Sequence, residues 1–422
     1  MRTSPLAELS RIFFRIGILS FGGPAAQIGL MSREFVQKRA WISEQDFLSA
    51  LSFCMLLPGP EAMQLATFIG WRRAGVWGGL IAGGLFVLPG AALILILAGI
   101  YAEWGNVPFV AAVFTGVQAA VLAIVIEALL RLAKRALLGP AQRIIAFGAF
   151  AGLFLFALPF PLVICVAALL GWMLLRPKAA PCSPPFDRPV KASLSAALIW
   201  TVIWLGPLGM IVGFAPPILA EIALFFSKLA LLTFGGAYAV LAWMVDEVVT
   251  TQGWLTAGQM LDALALAETT PGPLILVTQF VAYLAAHADG GVWMGLAGAG
   301  VALWMTFIPC FLWIFAAAPW MPHLQNAPRL AAALSGIMAS VVGVIAHLSL
   351  WFAWHVLFGT QFSLNLGPAQ ITLPVFDSLR LLPAALALLA GLLLLRAHWP
   401  LAWVLGICAA ISGGISAINS GI

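Results

Sequence analysis

The sequence predicts an all-α polytopic membrane protein that consists of two homologous halves arranged as an inverted repeat. Its apolar composition, an internal repeat and the distribution of basic residues lead to this prediction. Of 422 residues, 63% are hydrophobic and only 8% are charged, whereas about a quarter of a soluble chain is normally charged. Apolar stretches of roughly 20 residues, the length that crosses a bilayer, recur from end to end. We therefore expect the lipid bilayer to surround most of the chain.

The composition also narrows the class of function. The net charge of +5 does not indicate nucleic-acid binding, because basic residues in a membrane protein chiefly mark the cytoplasmic side. The five scattered cysteines form neither a metal-like pair nor a disulfide framework. There is no P-loop, HExxH or GxSxG motif, so we expect no ATP-driven motor, no enzyme, no cofactor and no metal. The basic N-terminus lacks a small-residue cleavage site and is expected to be retained.

An internal repeat defines the architecture. The motif Phe21-Gly22-Gly23 aligns with Phe234-Gly235-Gly236 at an offset of 213 residues, and Pro58-Gly59-Pro60 aligns with Pro271-Gly272-Pro273 in the same register. The offset then grows to 216 at Gly75 and Gly291, to 220 at Pro89 and Pro309, and to 239 at Pro161 and Pro400. We predict a first repeat at 1–176, a polar linker with one odd transmembrane helix at 177–215, and an inverted second repeat at 216–422.

Each copy has six apolar segments, and the first two are interrupted. In the first copy the segments lie near 6–31, 45–70, 77–100, 108–130, 143–157 and 159–175. The interruptions are the FGGP and LLPGP motifs, whose Pro and Gly residues break a helix. Broken backbone at membrane depth is tolerated only where it is buried in protein or faces a watery cavity.

The basic residues favour a re-entrant form of the broken segments. If both broken segments of a copy enter and leave on one side, 18 of the 20 Lys and Arg residues fall on the cytoplasmic side. If the broken segments cross fully, Arg33, Lys38 and Arg39 move outside, which fits the positive-inside rule less well. The odd helix near 194–214 inverts the second copy in either case.

Inverted repeats with discontinuous helices are typical of secondary transporters, whose substrates bind where half-helices converge. Pro60 suits the first turn of a half-helix, and the N–H groups that follow it favour an anion. The alternative is that the Pro-Gly elements merely pack helices tightly in lipid. The predicted substrate-binding residues are Arg15, Lys228, Phe21, Gly22, Gly23, Gly59, Pro60, Glu61, Gln64, Gly235, Gly236, Gly272 and Pro273.

Several ionisable side chains lie in otherwise apolar segments, where they are costly and usually functional. Arg15 and Lys228 are repeat equivalents, but each also follows a glutamate by seven residues, so structural ion pairing is the alternative. Glu127 and His347 are also repeat equivalents and suit either a proton relay or a helix-packing hydrogen bond. The predicted coupling or gating residues are Glu8, Glu221, Glu127, His347, Glu268, Arg72 and Arg73.

The run FGGPAAQIGLM…W…PGPEAMQLATFIGWRRAG, with its divergent second copy FGGAYAVLAWM…GW…TPGP, resembles the chromate ion transporter family in its long two-domain form. The resemblance covers nearly the whole chain. It implies chromate efflux across the bacterial inner membrane and chromate resistance, with sulfate as the related oxyanion. The alternatives are transport of sulfate or another oxyanion, an anion channel, and a sensor. Expected partners are the transported anion and the lipid bilayer, with a homodimer left open and no nucleic acid.

Overall fold

The computed structural model describes residues 5–105, 107–175, 190–234, 237–321, 327–366 and 369–419. This part of the chain is helical apart from one hairpin, which confirms the predicted fold class. The first copy contains α1 (Pro5–Leu19), α2 (Gly23–Ser32), α3 (Glu44–Cys54), α4 (Glu61–Trp104), α5 (Pro108–Ala136), α6 (Pro140–Phe156) and α7 (Phe160–Leu174).

The odd helix α8 (Val190–Phe214) follows, and the second copy repeats the order of the first. It contains α9 (Pro217–Leu232), α10 (Ala237–Val245), α11 (Ala257–Thr269), α12 (Val277–Ala317), α13 (Pro328–Leu357), α14 (Leu381–Gly391) and α15 (Leu401–Asn419). Short π-helices continue α2 and α10 at equivalent positions, Arg33–Lys38 and Asp246–Thr251, and another continues α14 at Leu392–Arg396. Three 3₁₀ turns lie at Leu274–Leu276, Ala318–Trp320 and Phe376–Ser378.

The predicted helix breaks are present. Gly22 and Gly23 adopt φ values of 84° and 74° between α1 and α2, a conformation that glycine reaches without steric cost. Gly59 and Gly272, the central residues of the two Pro-Gly-Pro motifs, have φ values of 125° and 96°. Gly235 and Gly236 lie outside the described residues. The discontinuous helices of the predicted fold class are therefore confirmed.

The second broken segment of the first copy folds back on itself. Asp46 at the start of α3 forms an ion pair of 3.0 Å with Arg72, which lies beyond the break on α4. The rings of Phe53 and Phe68 also lie 6.0 Å apart. The ends of this segment therefore lie together, which is the geometry of a re-entrant segment.

Trp41 contacts one basic residue before and one after the second broken segment. The guanidinium carbons of Arg39 and Arg73 lie 5.9 and 5.0 Å from the centre of its indole ring. Arg39 follows the first broken segment and Arg73 follows the second. Full crossing by the second segment would put the two arginines on opposite sides of a bilayer, so their contact with one ring favours a re-entrant second segment.

Helices α4 and α12 are each bent into a helical hairpin at equivalent glycines. Gly75 and Gly291 have φ values of 65° and 72°, and helical geometry is lost there. Beyond the bend the two arms of α4 pack closely, because a Cβ on Gly70 would collide with the carbonyl of Gly78. The predicted segments 45–70 and 77–100 are thus separate in space although their helices are joined.

The described residues contain one pair of β-strands. Strands β1 (Gln361–Leu366) and β2 (Ala369–Pro374) pair antiparallel, with Gln361 opposite Pro374. The hairpin lies in the second copy between the positions where the repeat offset is 220 and 239, so it accounts for the added residues. The sequence analysis predicted no strand here.

Within the described residues, six stretches are long and apolar enough to cross a membrane: Glu61–Trp104, Pro108–Ala136, Ser193–Phe214, Leu274–Trp320, Pro328–Leu357 and Leu401–Ile418. By contacts the chain forms two compact units. The first comprises Met1–Gly99, Lys178–Val240 and Thr270–Ala331, and the second comprises Ile100–Pro177, Leu241–Thr269 and Ala332–Ile422. Each unit takes segments from both copies of the repeat, whereas the predicted domain boundaries follow the repeat and stay a prediction.

Candidate functional site

The helix breaks of the two copies pair crosswise within the first compact unit. The backbone N–H of Gly59 donates to the carbonyl of Thr233 at 2.7 Å. The backbone N–H of Gly272 donates to the carbonyl of Ser20 at 3.0 Å. Gly59 and Gly272 are repeat equivalents, and so are Ser20 and Thr233. Each Pro-Gly-Pro break is therefore bonded to the Phe-Gly-Gly break of the other copy.

The hydroxyl side chains beside the Phe-Gly-Gly motifs support this pairing. Ser20 donates its hydroxyl hydrogen to the carbonyl of Ile16 at 2.5 Å. Thr233 donates in the same way to the carbonyl of Leu229 at 2.6 Å. Both hydroxyls thus satisfy a carbonyl in the last turn of a helix that is about to end. The carbonyls of Ser20 and Thr233 remain directed to the glycine N–H groups.

The third apolar segment of each copy also packs against the Pro-Gly-Pro break of the other copy. A Cβ on Gly90 would collide with the carbonyl of Pro271, in the second Pro-Gly-Pro motif. In the first motif, a Cβ on Gly59 would lie 2.9 Å from the sulfur of Cys310. Gly90 and Cys310 are equivalent at an offset of 220. Glycine is therefore required at Gly90 by close backbone approach, and at Gly59 by both φ and space.

Gln27 is a functional candidate that the sequence analysis missed. Its side-chain amide donates to the carbonyl of Gly272 at 2.7 Å and to that of Ser20 at 3.2 Å. It therefore ties together one of the two crosswise pairs. The side chain is buried, and its carbonyl oxygen has no hydrogen-bond partner within the described residues. The signal was present as the polar residue of the motif FGGPAAQ.

Two glutamines follow the Pro-Gly-Pro motifs and are buried. The amide nitrogen of Gln64 donates to the carbonyl of Pro58 at 2.7 Å, so it holds the break itself. The side-chain oxygens of Gln64 and Gln279 have no partner in the described part of the chain. The predicted donation from Gln64 to a bound oxyanion would require this intramolecular bond to open.

The predicted half-helix N-termini lie directly after the prolines. Pro60 precedes α4, which begins at Glu61, and Pro273 precedes the 3₁₀ turn that leads into α12. The first N–H groups of a helix carry partial positive charge and attract anions. The carboxyl group of Glu61 occupies the first turn of α4, whereas Leu274 occupies the corresponding place in the second copy. A bound anion would therefore meet a competing carboxyl group at α4 only.

The predicted cationic residues lie on the surfaces of α1 and α9. The side chains of Arg15 and Lys228 are exposed, and none of the ion pairs among the described residues involves them. The alternative of structural pairing with Glu8 and Glu221 is not observed. Phe21 is 50% exposed at the first break.

The predicted coupling and gating residues are dispersed. Glu127 forms an ion pair with Arg131, and His347 packs with its ring centre 6.5 Å from that of Phe154. Glu268 is buried on α11. Arg72 forms an ion pair with Asp46, and Arg73 lies over the ring of Trp41.

His347 also lines a cavity of about 380 Å³ within the second compact unit, together with Trp243, Asp246, Trp351 and His355. Its Nδ1 atom has no hydrogen-bond partner in the described residues. Among those residues no group of three His, Cys, Asp or Glu side chains lies close enough to hold a metal ion.

A second polar cluster was not predicted. Asp262 on α11 is only 8% exposed and accepts hydrogen bonds of 2.6 Å from the hydroxyl of Tyr101 and the amide of Gln118. The signal in the sequence was a single acidic residue in the apolar run MLDALALA. The repeat comparison passed over it because the equivalent position holds Ser49.

The repeated halves, the discontinuous helices and the apolar spans define a multi-pass membrane protein built in the manner of secondary transporters. The family described as "Chromate transporter" matches residues 7–172 and 220–413, once in each half. The chain belongs to this family.

Relatives of similar length match most of the chain. It is 32% identical over 358 residues to a chromate transport protein of Cupriavidus metallidurans, covering 81% of each chain. It is 34% identical over 364 residues to a chromate transport protein of Pseudomonas aeruginosa, covering 80% of this chain and 79% of the relative. A probable chromate transport protein of Synechococcus elongatus is 30% identical over 353 residues, with 81% and 83% covered. No solved structure matches the chain.

Proposed function

We propose that this protein exports chromate across the bacterial inner membrane as a secondary transporter, and that export confers resistance to chromate. The crosswise pairing of the four helix breaks is the observation that supports transport most directly. The names of the relatives from Cupriavidus metallidurans and Pseudomonas aeruginosa support chromate as the transported anion.

The proposed site consists of the Pro-Gly-Pro half-helix N-termini together with the predicted substrate-binding residues. The N-terminus of α4 after Pro60 and the turn after Pro273 offer backbone N–H groups to the oxyanion. Arg15 and Lys228 attract the dianion through charges that no carboxylate in the described residues neutralises. Sulfate, a tetrahedral dianion of similar size, is expected to compete at this site.

The two crosswise hydrogen bonds suggest how access alternates. Because the copies are inverted, the bond from Gly59 to Thr233 and the bond from Gly272 to Ser20 are expected to face opposite sides of the membrane. We propose that one bond opens while the other holds, which exposes the site to one side at a time. Gln27 reinforces only the bond from Gly272 to Ser20, so we expect this bond to be harder to open than the bond from Gly59 to Thr233.

The membrane potential supplies enough free energy for export without ATP. A dianion that leaves a cell with a negative interior gains about 2.3 kcal/mol per charge per 100 mV, or roughly 4–5 kcal/mol in total. Import of sulfate in the opposite direction would have to overcome the same amount.

Radiolabelled chromate uptake into inside-out membrane vesicles tests the proposal. We expect uptake that saturates, rises with an imposed membrane potential and is inhibited by excess sulfate. Vesicles from cells without the gene supply the background rate. Unsaturable uptake would indicate an anion channel, and absence of chromate uptake would overturn the proposed substrate.

A further inference from the structure

A buried carboxylate joins three helices within the second compact unit. Asp262 on α11 accepts a hydrogen bond from the Tyr101 hydroxyl at Oδ2 and from the Gln118 side-chain amide at Oδ1, both at 2.6 Å. Tyr101 lies at the end of α4, and Gln118 lies on α5, against which α11 packs. The carboxyl group is thus the point at which α11 is tied to both neighbours.

Within the part of the chain that the structure describes, no cation forms an ion pair with this carboxylate. None of the ion pairs in the described residues involves Asp262. The other titratable groups on these helices and on the elements packed against α5 are Glu61, Arg72, Arg73 and Glu103 on α4, Glu127 with its partner Arg131, Lys134 and Arg135 on α5, Glu268 on α11, Arg396 on the π-helix that continues α14, and Cys408 on α15. Both groups that contact Asp262 are neutral donors.

Burial is therefore the largest influence on the pKa of Asp262. α11 has 13 residues and is not one of the helices long enough to cross a membrane. Burial raises the pKa of Asp262 to about 6, and the two hydrogen bonds only partly oppose this increase. The buried ionised form costs stability above this pKa, and the cost is relieved as the pH falls through about 6.

The cluster is absent from the other copy of the repeat. The positions equivalent to Asp262, Tyr101 and Gln118 hold Ser49, Met321 and Met338, none of which can bind a proton near neutral pH. The other copy therefore packs at the equivalent place without an ionisable group.

We infer that Asp262 is the proton-binding site of the transport cycle, taking up and releasing a proton as the oxyanion is transported. The inference rests on the proposed function. It adds the proton as the coupled ion and names the residue that binds it.

Proton binding would change how α11 is held. The ionised carboxylate accepts from both neighbours, whereas a protonated carboxyl group has a hydrogen of its own to donate. The amide nitrogen of Gln118 cannot accept that hydrogen, and the oxygen of Tyr101 can accept it only by giving up its present donation. Protonation therefore removes or reverses one of the two bonds. The chain passes from α11 directly into the second Pro-Gly-Pro motif. The charge on Asp262 therefore affects how firmly α11, the helix that leads to this break, is held.

Purified protein in liposomes with a trapped pH indicator tests the inference. For the wild type we expect chromate addition to drive a proton flux. Asp262→Asn should reduce this flux at least tenfold while it retains exchange of labelled for unlabelled chromate, a half-cycle that needs no net proton movement. Asp377→Asn, which changes an exposed aspartate, is the matched control and should leave both rates unchanged.

A second variant gives a readout that a purely structural role would not change. Tyr101→Phe removes a donor that favours the ionised carboxylate, so the pH midpoint of chromate transport should rise, by about one unit. Asp262→Glu should keep a pH-dependent rate. The pH dependence of transport by Tyr101→Phe and Asp262→Glu tests the proton site even if Asp262→Asn fails to insert into the membrane.

The outcomes separate the two proposals. If wild-type liposomes take up chromate but Asp262→Asn retains full proton flux, or if the midpoint of Tyr101→Phe is unchanged, the proton site is wrong and the proposed function stands. If the wild type takes up no chromate under any gradient, the proposed function fails and the inference fails with it.

Discussion

The backbone N–H of Gly59 lies 2.7 Å from the carbonyl oxygen of Thr233, and this hydrogen bond joins the two copies of the repeat at their helix breaks. A glycine N–H next to proline has no helical partner, and neither does the carbonyl of a residue that ends a helix. Each copy therefore supplies the donor or acceptor that the other copy lacks. The breaks are stable because they occur in pairs.

Gly90→Ala should destabilise the protein and impair transport. The added methyl group would collide with the carbonyl of Pro271, which cannot move without disturbing the second Pro-Gly-Pro motif. Overpacking of this kind costs about 1–3 kcal/mol. Gly84→Ala on the same helix is the control, because nothing lies within 4 Å of its added Cβ. Thermal unfolding in detergent should give a lower Tm for Gly90→Ala alone, and equal Tm values would argue against the close approach.

Gln27→Leu should reduce transport more than it reduces the amount of protein in the membrane. The substitution leaves the carbonyls of Gly272 and Ser20 without the amide that bridges them, at a cost of about 1–3 kcal/mol. Initial rates of chromate uptake, normalised to protein in the membrane, measure the effect. Gln37→Leu changes an exposed glutamine and should have the wild-type rate. A wild-type rate for Gln27→Leu would remove this residue from the candidate site.

Arg15→Ala and Lys228→Ala should each lower chromate uptake at least tenfold without loss of membrane insertion. Both remove a cation that has no ion pair in the described residues, so the lost charge is one available to the substrate. Arg11→Ala and Lys191→Ala, at exposed basic residues outside the proposed site, are the matched controls. If all four variants lose activity equally, general surface charge rather than a specific site explains the effect.

Glu61→Gln should lower the KM for chromate. The carboxyl group in the first turn of α4 occupies the positive end of the helix and, whenever it is ionised, repels an incoming anion, whereas the amide cannot ionise. Several-fold tighter apparent binding is expected from removal of one ionisable group near the site. Glu44→Gln, at an exposed glutamate in the first turn of α3, should not change KM. A raised KM for Glu61→Gln would mean that this carboxyl group contributes to binding as first predicted.

Much of the fold could be predicted because its determinants are local. Glycine and proline favour a helix break where they cluster, so the breaks near Gly22 and Gly59 could be predicted from the sequence, and the shared offset of the Phe-Gly-Gly and Pro-Gly-Pro motifs identified the repeat. The crosswise pairing could not be predicted in this way. It depends on which distant backbone groups meet, and backbone groups are the same in every residue.

The comparison of the two copies guided most of the site predictions. It singled out Arg15 and Lys228, which stay predictions, whereas Gln27 and Asp262 were missed because Val240 and Ser49 stand at the equivalent positions. The β-hairpin was missed for a related reason, since it too occurs in only one copy.

The interleaving of the copies in each compact unit has a consequence for synthesis. The N–H of Gly59 and the carbonyl of Ser20 leave the ribosome long before Thr233 and Gly272 exist. At roughly 5–20 residues per second, the first copy waits on the order of ten seconds or more for its partners. During that interval the broken backbone of the nascent chain needs water or another protein to satisfy it. Membrane insertion of this chain is therefore complete only when its second half arrives.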